Sequence, residues 1–499
     1  MQLLRTAKFR ARRPQSRGRP SSSPSPLAQI RDVLAGDRTK FGLLAAFMLL
    51  VALTGGASRS DVLSLPILRP ASVLFCVAGL LYLTAERARA ARGPLLAVLA
   101  MMLLAGLQLV PLPPGLWTAL PNHELVAESD RLLGIEGAYR PLSLDPNRTW
   151  NALFALFVPL AAVVLVAVQG AQYRRATVQA VLGVGLLSAV IGMLQAIGLV
   201  DHFYAITHDR YPVGLFANKN HQSVLLSGTM LAGCWLAATS DIRKHAPGVI
   251  IGTAFVLILA LFPLIILTGS RAGLALSGPA LLACCWMIFK APATEILLKR
   301  AGTRKWLFAG GGFLILATPL LFVLTVLLGS TRDTALSRLF AVDSADDLRW
   351  SFLPISLEMT RDFFPFGAGL GAFERTFMVY ETADVLSLRY ANQAHNDVIQ
   401  IVLEGGLLGA IIVLAALVWA GRLLWRQWRR GNAVARITAV FLAGAIALWL
   451  AASIVDYPLR TPLAAMVLAA LTTHLSLLST RPRSDPGTLS RDGGQGEAP

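Results

Sequence analysis

The sequence predicts an all-α polytopic membrane protein. It has about 12 transmembrane helices, cytoplasmic N- and C-termini, and a large outer loop with an amphipathic helix between helices 9 and 10. Three observations carry this. Of 499 residues, 55% are hydrophobic and only 15% charged, against about 25% charge in a soluble domain. Apolar runs of bilayer-spanning length recur along the chain. The connecting segments then sort by charge into two alternating sets.

The spans fall at roughly 41–58, 70–85, 93–111, 150–169, 176–198, 221–239, 248–268, 272–290, 306–328, 394–420, 434–454 and 459–479. One set of connections is uniformly basic: Arg5 to Lys40, Glu86 to Arg92, Arg174-Arg175, Arg243-Lys244, Lys290 to Lys305, Arg422 to Arg436, and Arg481 with Arg483. The other set holds the long loops 112–149, 199–220 and 329–393. The last carries nine Asp/Glu against six Arg, a net charge of −3. Positive-inside sorting puts the basic set in the cytoplasm and the long loops outside. The net charge of +17 is thus a topology signal and not a nucleic-acid one.

Residues 1–40 form a basic, Ser- and Pro-rich tail expected to be disordered in the cytoplasm, where its arginines can meet membrane lipids. Residues 41–479 form the membrane domain, and 480–499 a second disordered tail. Cys76, Cys234, Cys284 and Cys285 all fall inside apolar runs and read as small core residues.

In loop 112–149, Trp117 and Trp150 suit interfacial anchoring. In loop 199–220, Asp201, His202, His208 and Asp209 match no standard metal spacing, so no metal site is assigned. Arg210, Asn218 and Asn220 are candidate substrate contacts there. Asn218 and Asn220 serve equally well as caps of the next helix. Arg271 sits in the short turn Thr268-Gly-Ser-Arg-Ala-Gly273 at the outer boundary. It either snorkels to headgroups or binds an anionic substrate group, for which its fork and the following helix N-terminus are suited.

In loop 329–393, Leu348, Phe352, Ile355, Met359 and Phe363 fall on one helical stripe. The helix lies on the membrane surface or covers a cavity. The glycine-rich Pro365-Phe-Gly-Ala-Gly-Leu-Gly371 is read as a tight turn for close backbone approach. His395 opens the tenth span, where a helix N-terminus favours neutral imidazole and hence a base. Eleven residues on, about 16 Å of helix, Gly406 shares its face, with Gly409 close by. These small residues predict close helix packing. Glu404, on the opposite face, is expected to be a structural group with a partner.

Together, His395-Asn396, nine residues, Gly406, two residues and Gly409 resemble the signature of bacterial O-antigen ligases and O-antigen polymerases. The stretches Pro111-Leu-Pro-Pro-Gly-Leu-Trp117, Gly214-Leu-Phe-Ala-Asn-Lys-Asn220, Gly269-Ser-Arg-Ala-Gly273 and Pro365 to Phe373 agree, so the resemblance covers most of residues 95–410, with a core at roughly 176–420. It implies a GT-C-like, metal-independent inverting glycosyltransferase without cofactors. The enzyme would act in the bacterial inner membrane, with its active site and loop 329–393 facing the periplasm. The donor would be an undecaprenyl-diphosphate-linked glycan. The acceptor would be lipid A–core in lipopolysaccharide synthesis. A second glycan, as in O-antigen or exopolysaccharide polymerisation, or a protein hydroxyl is the alternative.

The resemblance also makes His395, Arg271 and Arg349 the catalytic residues. Arg338 is the alternative loop arginine and a substrate contact, with Asn396 beside the histidine. A transporter or flippase, the other class, predicts mid-membrane charges and related halves, which the unequal loops do not suggest.

Overall fold

A computed structural model describes residues 36–301, 344–383, 385–386 and 391–479. These are predominantly helical. The main elements are α1 (Asp37–Thr54), α2 (Leu65–Leu80), α3 (Arg92–Gln108), α4 (Pro146–Ala167, bent at Leu156), α5 (Arg174–Ala196), α6 (Lys219–Ala238), α7 (Pro247–Leu267) and α8 (Arg271–Phe289). They continue with α9 (Ser344–Phe363), α10 (Phe373–Tyr380), α11 (Asp397–Arg429), α12 (Ala433–Val455) and α13 (Pro462–Ser479). Seven of these helices are long and apolar enough to cross a membrane: α4, α5, α7, α8, α11, α12 and α13. The chain is thus an all-α, multi-pass membrane protein. Each span drawn from sequence coincides with a helix except 306–328, which lies outside the described residues, as do residues 1–35 and 480–499 of the expected tails; Asp37 to Lys40, placed in the first tail, open α1 instead.

Helix α6 is the centre of the bundle. Every residue in it is buried except Gly228. The sequence predicts it as a span, but it is not among the seven long apolar helices and is buried by its neighbours. Its polar groups are satisfied by neighbours, as burial demands. Gln222 accepts from the Ser188 hydroxyl at 2.5 Å and donates to the Ser188 carbonyl at 3.1 Å. Helix α8 packs so closely that a Cβ on Gly273 would lie 1.8 Å from Ser223 Oγ.

Loop 112–149 folds back on itself. Pro111–Leu112 pairs antiparallel with Arg140–Pro141, and Arg140 grips the buried Asp130 carboxylate with two hydrogen bonds. Trp117, expected at the membrane interface, is instead only 1% exposed and donates to the Ala138 carbonyl at 3.0 Å. The indole is buried by the folding of the loop around it. Trp150 does remain exposed.

The stripe predicted on α9 is real, and it faces protein. Phe352, Ile355, Met359 and Phe363 are buried with Phe373, Phe377 and Leu403. The amphipathic helix therefore roofs the start of α11.

Helix α11 departs from the continuous helix read from sequence. It starts at Asp397, so His395 lies outside the helical frame, and it breaks at Gly406 (φ 59°, ψ −154°). The face shared by His395 and Gly406 does not exist. The break frees the carbonyls of Leu403 and Glu404, which accept from Ala368 and Gly369 at 2.8 and 3.0 Å. Leu407 N–H donates in turn to the Pro365 carbonyl at 2.8 Å. The glycine turn 365–371 is thus plugged into the helix like a short strand, and a Cβ on Gly406 would stand 2.2 Å from the Pro365 carbonyl oxygen. Gly406→Ala adds that clash to an unfavourable φ, at a cost of about 1–3 kcal/mol or more. A clear drop in the melting temperature of the purified protein is expected, and an unchanged value would contradict the docked turn.

Candidate functional site

Apolar helices deliver their polar ends to one place, where α6, α8, α11 and the α12–α13 turn meet. The turn Asp456-Tyr-Pro-Leu-Arg460 supplies its anchors. Asp456 is only 1% exposed. Its Oδ2 accepts from Asn220 at 2.6 Å and from Asn218 at 3.2 Å. Its Oδ1 accepts from the Tyr457 backbone at 2.9 Å. That same oxygen lies 3.5 Å from His395 Nδ1 and 3.7 Å from His221 Nε2. The His395 contact is within ion-pair range without an aligned hydrogen bond. A buried carboxylate between two imidazoles, held by two amides, is a group whose direction is fixed.

His395 is held from several sides. Its φ of 52° is left-handed, a conformation that costs a non-glycine residue about 1–3 kcal/mol and persists where the surroundings impose it. Tyr457 meets its ring edge to face at 4.8 Å. The preceding Ala394 N–H donates to Gln400 Oε1 at 2.9 Å, and Gln400 donates to Glu404 at 2.9 Å. The ring is 22% exposed, so its outer edge can be reached. With Nδ1 facing the carboxylate, Nε2 is the nitrogen left to accept a proton.

Arg271 joins this site through the backbone it sits on. Ser270 caps α8 by accepting from Gly273 N–H at 2.9 Å, and its hydroxyl donates to Asn220 Oδ1 at 2.7 Å. Asp456, Asn220 and Ser270 therefore form one hydrogen-bonded chain from the His395 pocket to the residue before Arg271. Arg271 is the first residue of α8, so its guanidinium starts from the positive end of that helix. Next to it, Lys219 Nζ sits 3.9 Å from the Tyr211 ring centre, and Tyr211 lies against Gly269.

Not every predicted contact is free for substrate. Asn218 caps α6 by accepting from Asn220 N–H at 2.8 Å, and both asparagines are buried and hold Asp456. Their amides are engaged with that carboxylate and Ser270, in keeping with the capping role that the sequence allowed them. Asn396 caps α11, accepting from Val398 and Ile399 at 3.0 Å each, so its oxygen too is occupied. Arg210 stays exposed on its loop. Arg349 lies in the first turns of α9. Its side chain lies outside the described residues, as does Arg338.

Gly409 is buried against the carbonyl of Ile401, which a Cβ there would approach to 3.0 Å. Glu404 has the partner that its burial requires. Arg460 donates to Glu404 Oε2 and to Asp397 Oδ1, each at 3.0 Å, and Ser453 donates to the other Asp397 oxygen. This fork ties α11 to the α12–α13 turn.

Asp456, Tyr457 and Arg460 were missed by sequence reasoning. The signal available was two charges in an otherwise largely apolar stretch from 437 to 479, since an ionisable residue at membrane depth calls for a partner.

A comparison with curated proteins gives no match. Residues 254–414, the stretch from α7 through His395 to the middle of α11, match the family model described as O-Antigen ligase, which supports assigning the chain to the O-antigen ligase family.

Proposed function

We propose that this protein transfers a glycan from an undecaprenyl-diphosphate-linked donor to an acceptor hydroxyl, with lipid A–core as the acceptor. The family match supports an O-antigen ligase- or polymerase-type function in general. The observation that carries the finer reading is the buried Asp456 carboxylate. It faces His395 Nδ1 at 3.5 Å and is hydrogen-bonded through Asn220 and Ser270 to the turn bearing Arg271.

In this reading Asp456 orients the imidazole, and His395 Nε2 takes the acceptor's proton as its oxygen attacks the anomeric carbon. The bond from that carbon to the donor's phosphate oxygen breaks, and the diphosphate leaves with the electron pair. Arg271, the α8 N-terminus and a loop arginine, Arg349 or Arg338, stabilise the charge growing there. Such preorganised electrostatics is often the largest single catalytic contribution. Attack opposite the leaving group inverts the anomeric centre, and these steps use only the chain's own side chains. Charge sorting of the connecting segments supports an inner-membrane protein with twelve spans, cytoplasmic termini and the site facing the periplasm.

The test is reconstitution of the purified protein with lipid-diphosphate-linked glycan and separate acceptors: lipid A–core, a second lipid-linked glycan, and a hydroxyl-bearing peptide. Modification of lipid A–core alone is expected. Arg271→Ala should lower transfer by about 10²-fold or more at normal protein level. Full transfer by Arg271→Ala, or modification of another acceptor instead, would overturn the respective part of the reading.

A further inference from the structure

A second site lies at the opposite end of the bundle, roughly 35–40 Å from His395 along α11 at 1.5 Å per residue. A cavity of about 550 Å³ opens there between α3, α11 and α13. Arg89, Arg92, Arg422 and Arg426 line it, and no carboxylate does. Among the described residues none of the four is ion-paired. Arg89 donates only to the Ala85 carbonyl, at 3.3 Å. Four guanidiniums around one opening repel one another, and an anion between them removes that cost.

The rest of the lining is apolar and has a direction. Ile411, Leu414, Ala415 and Val418 precede Arg422 and Arg426 at helical spacing on one face of α11. Ile411, Leu414 and Val418 are 51%, 61% and 43% exposed on a helix long enough to span a membrane. Trp419 closes the back, packed so tightly on Gly93 that a Cβ there would lie 2.1 Å from the indole. Ser476 locks α13 to the floor by donating to the Ala90 carbonyl at 2.6 Å. Residues 480–499, which follow the lining residue Ser479, carry three arginines against three acidic residues and so bring no net negative charge.

We infer that this cavity binds an anionic phospholipid, its phosphodiester headgroup among Arg89, Arg92, Arg422 and Arg426 and an acyl chain along Ile411–Val418. Basic pockets between spanning helices on the cytoplasmic side suit such headgroups. An isolated phosphate would use the arginines and leave the apolar wall bare, which favours the lipid.

Native mass spectrometry of the full-length purified protein tests this with three probes: phosphatidylglycerol, phosphatidylcholine and glycerol 3-phosphate. Phosphatidylglycerol should bind, with phosphatidylcholine and glycerol 3-phosphate at least about 10-fold weaker. The double variant Arg92→Gln/Arg422→Gln should weaken phosphatidylglycerol about 30-fold. Arg429→Gln/Arg430→Gln removes the same charge outside the cavity and should change it less than about 3-fold. Ala415→Trp, which fills the apolar groove, should also weaken the lipid and leave glycerol 3-phosphate unchanged. Equal loss in both arginine pairs, equal binding of phosphatidylcholine, or full binding by Ala415→Trp would overturn the site.

Discussion

Asp456→Asn should lower glycan transfer by about 10²–10⁴-fold while the protein still assembles. The change is isosteric, so packing around the turn survives. Its consequence is chemical. Asp456 accepts from Asn218, from Asn220 and from its neighbour's backbone, and faces His395 Nδ1 as well. An asparagine there must aim its own NH₂ either at two amide donors or at the histidine. In the first case the cap of α6 loosens. In the second, Nδ1 must become an acceptor and Nε2 carries the proton that it should be free to take. Either way the imidazole loses the buried negative charge that would stabilise it on taking a proton, and in the second case Nε2 is blocked as well. On a His395→Ala background, Asp456→Asn should then cost no more than about 3-fold, because residues acting as one unit are not additive. Transfer rates of the four proteins of that cycle decide it. Independent losses would mean that Asp456 acts elsewhere.

Arg460→Met should be the most destabilising single change, at about 3–5 kcal/mol. It leaves Glu404, 1% exposed, and Asp397 without their shared cation. Glu404 also accepts from Gln400, which holds the backbone before His395. The defect should therefore reach the site as well as the helix contacts. Thermal unfolding of the purified protein reads this directly. Adding Glu404→Gln to Arg460→Met should restore part of the stability, since a neutral amide tolerates burial better than an unpaired carboxylate. Arg460→Lys should restore little, because a point charge does not bridge two carboxylates as a fork does. A melting temperature unchanged in Arg460→Met would show that the ion pair carries no weight.

What the sequence made legible follows from which residues stand out against an apolar background. Long hydrophobic runs predicted the helices. Arg271 and His395 were visible because each breaks an apolar stretch at a boundary. Asp456 and Arg460 were hidden by the same test. They sit four residues apart in a short connection, cancel in charge, and so leave the sorting of loops untouched. The Asn218–Asn220 pair looked like a helix cap and is one, but its second partner lies 236 residues or more away, beyond any local pattern. Gly406 was misread for a related reason. A glycine inside a helical pattern signals close approach, yet only the distant turn at 365–371 reveals that the helix opens to receive it. Trp117 misled because an indole near a membrane boundary fits a belt and a folded loop equally well.

The most direct test of the central claim is a single-turnover reaction of reconstituted protein with lipid-diphosphate-linked glycan and acceptor, comparing wild type with His395→Ala. Formation of the glycosylated acceptor with matching release of the free lipid diphosphate in the wild type, slowed by about 10²–10⁴-fold in the variant, is the predicted result. Unchanged transfer in His395→Ala, or movement of intact donor across the membrane without bond cleavage, would contradict it.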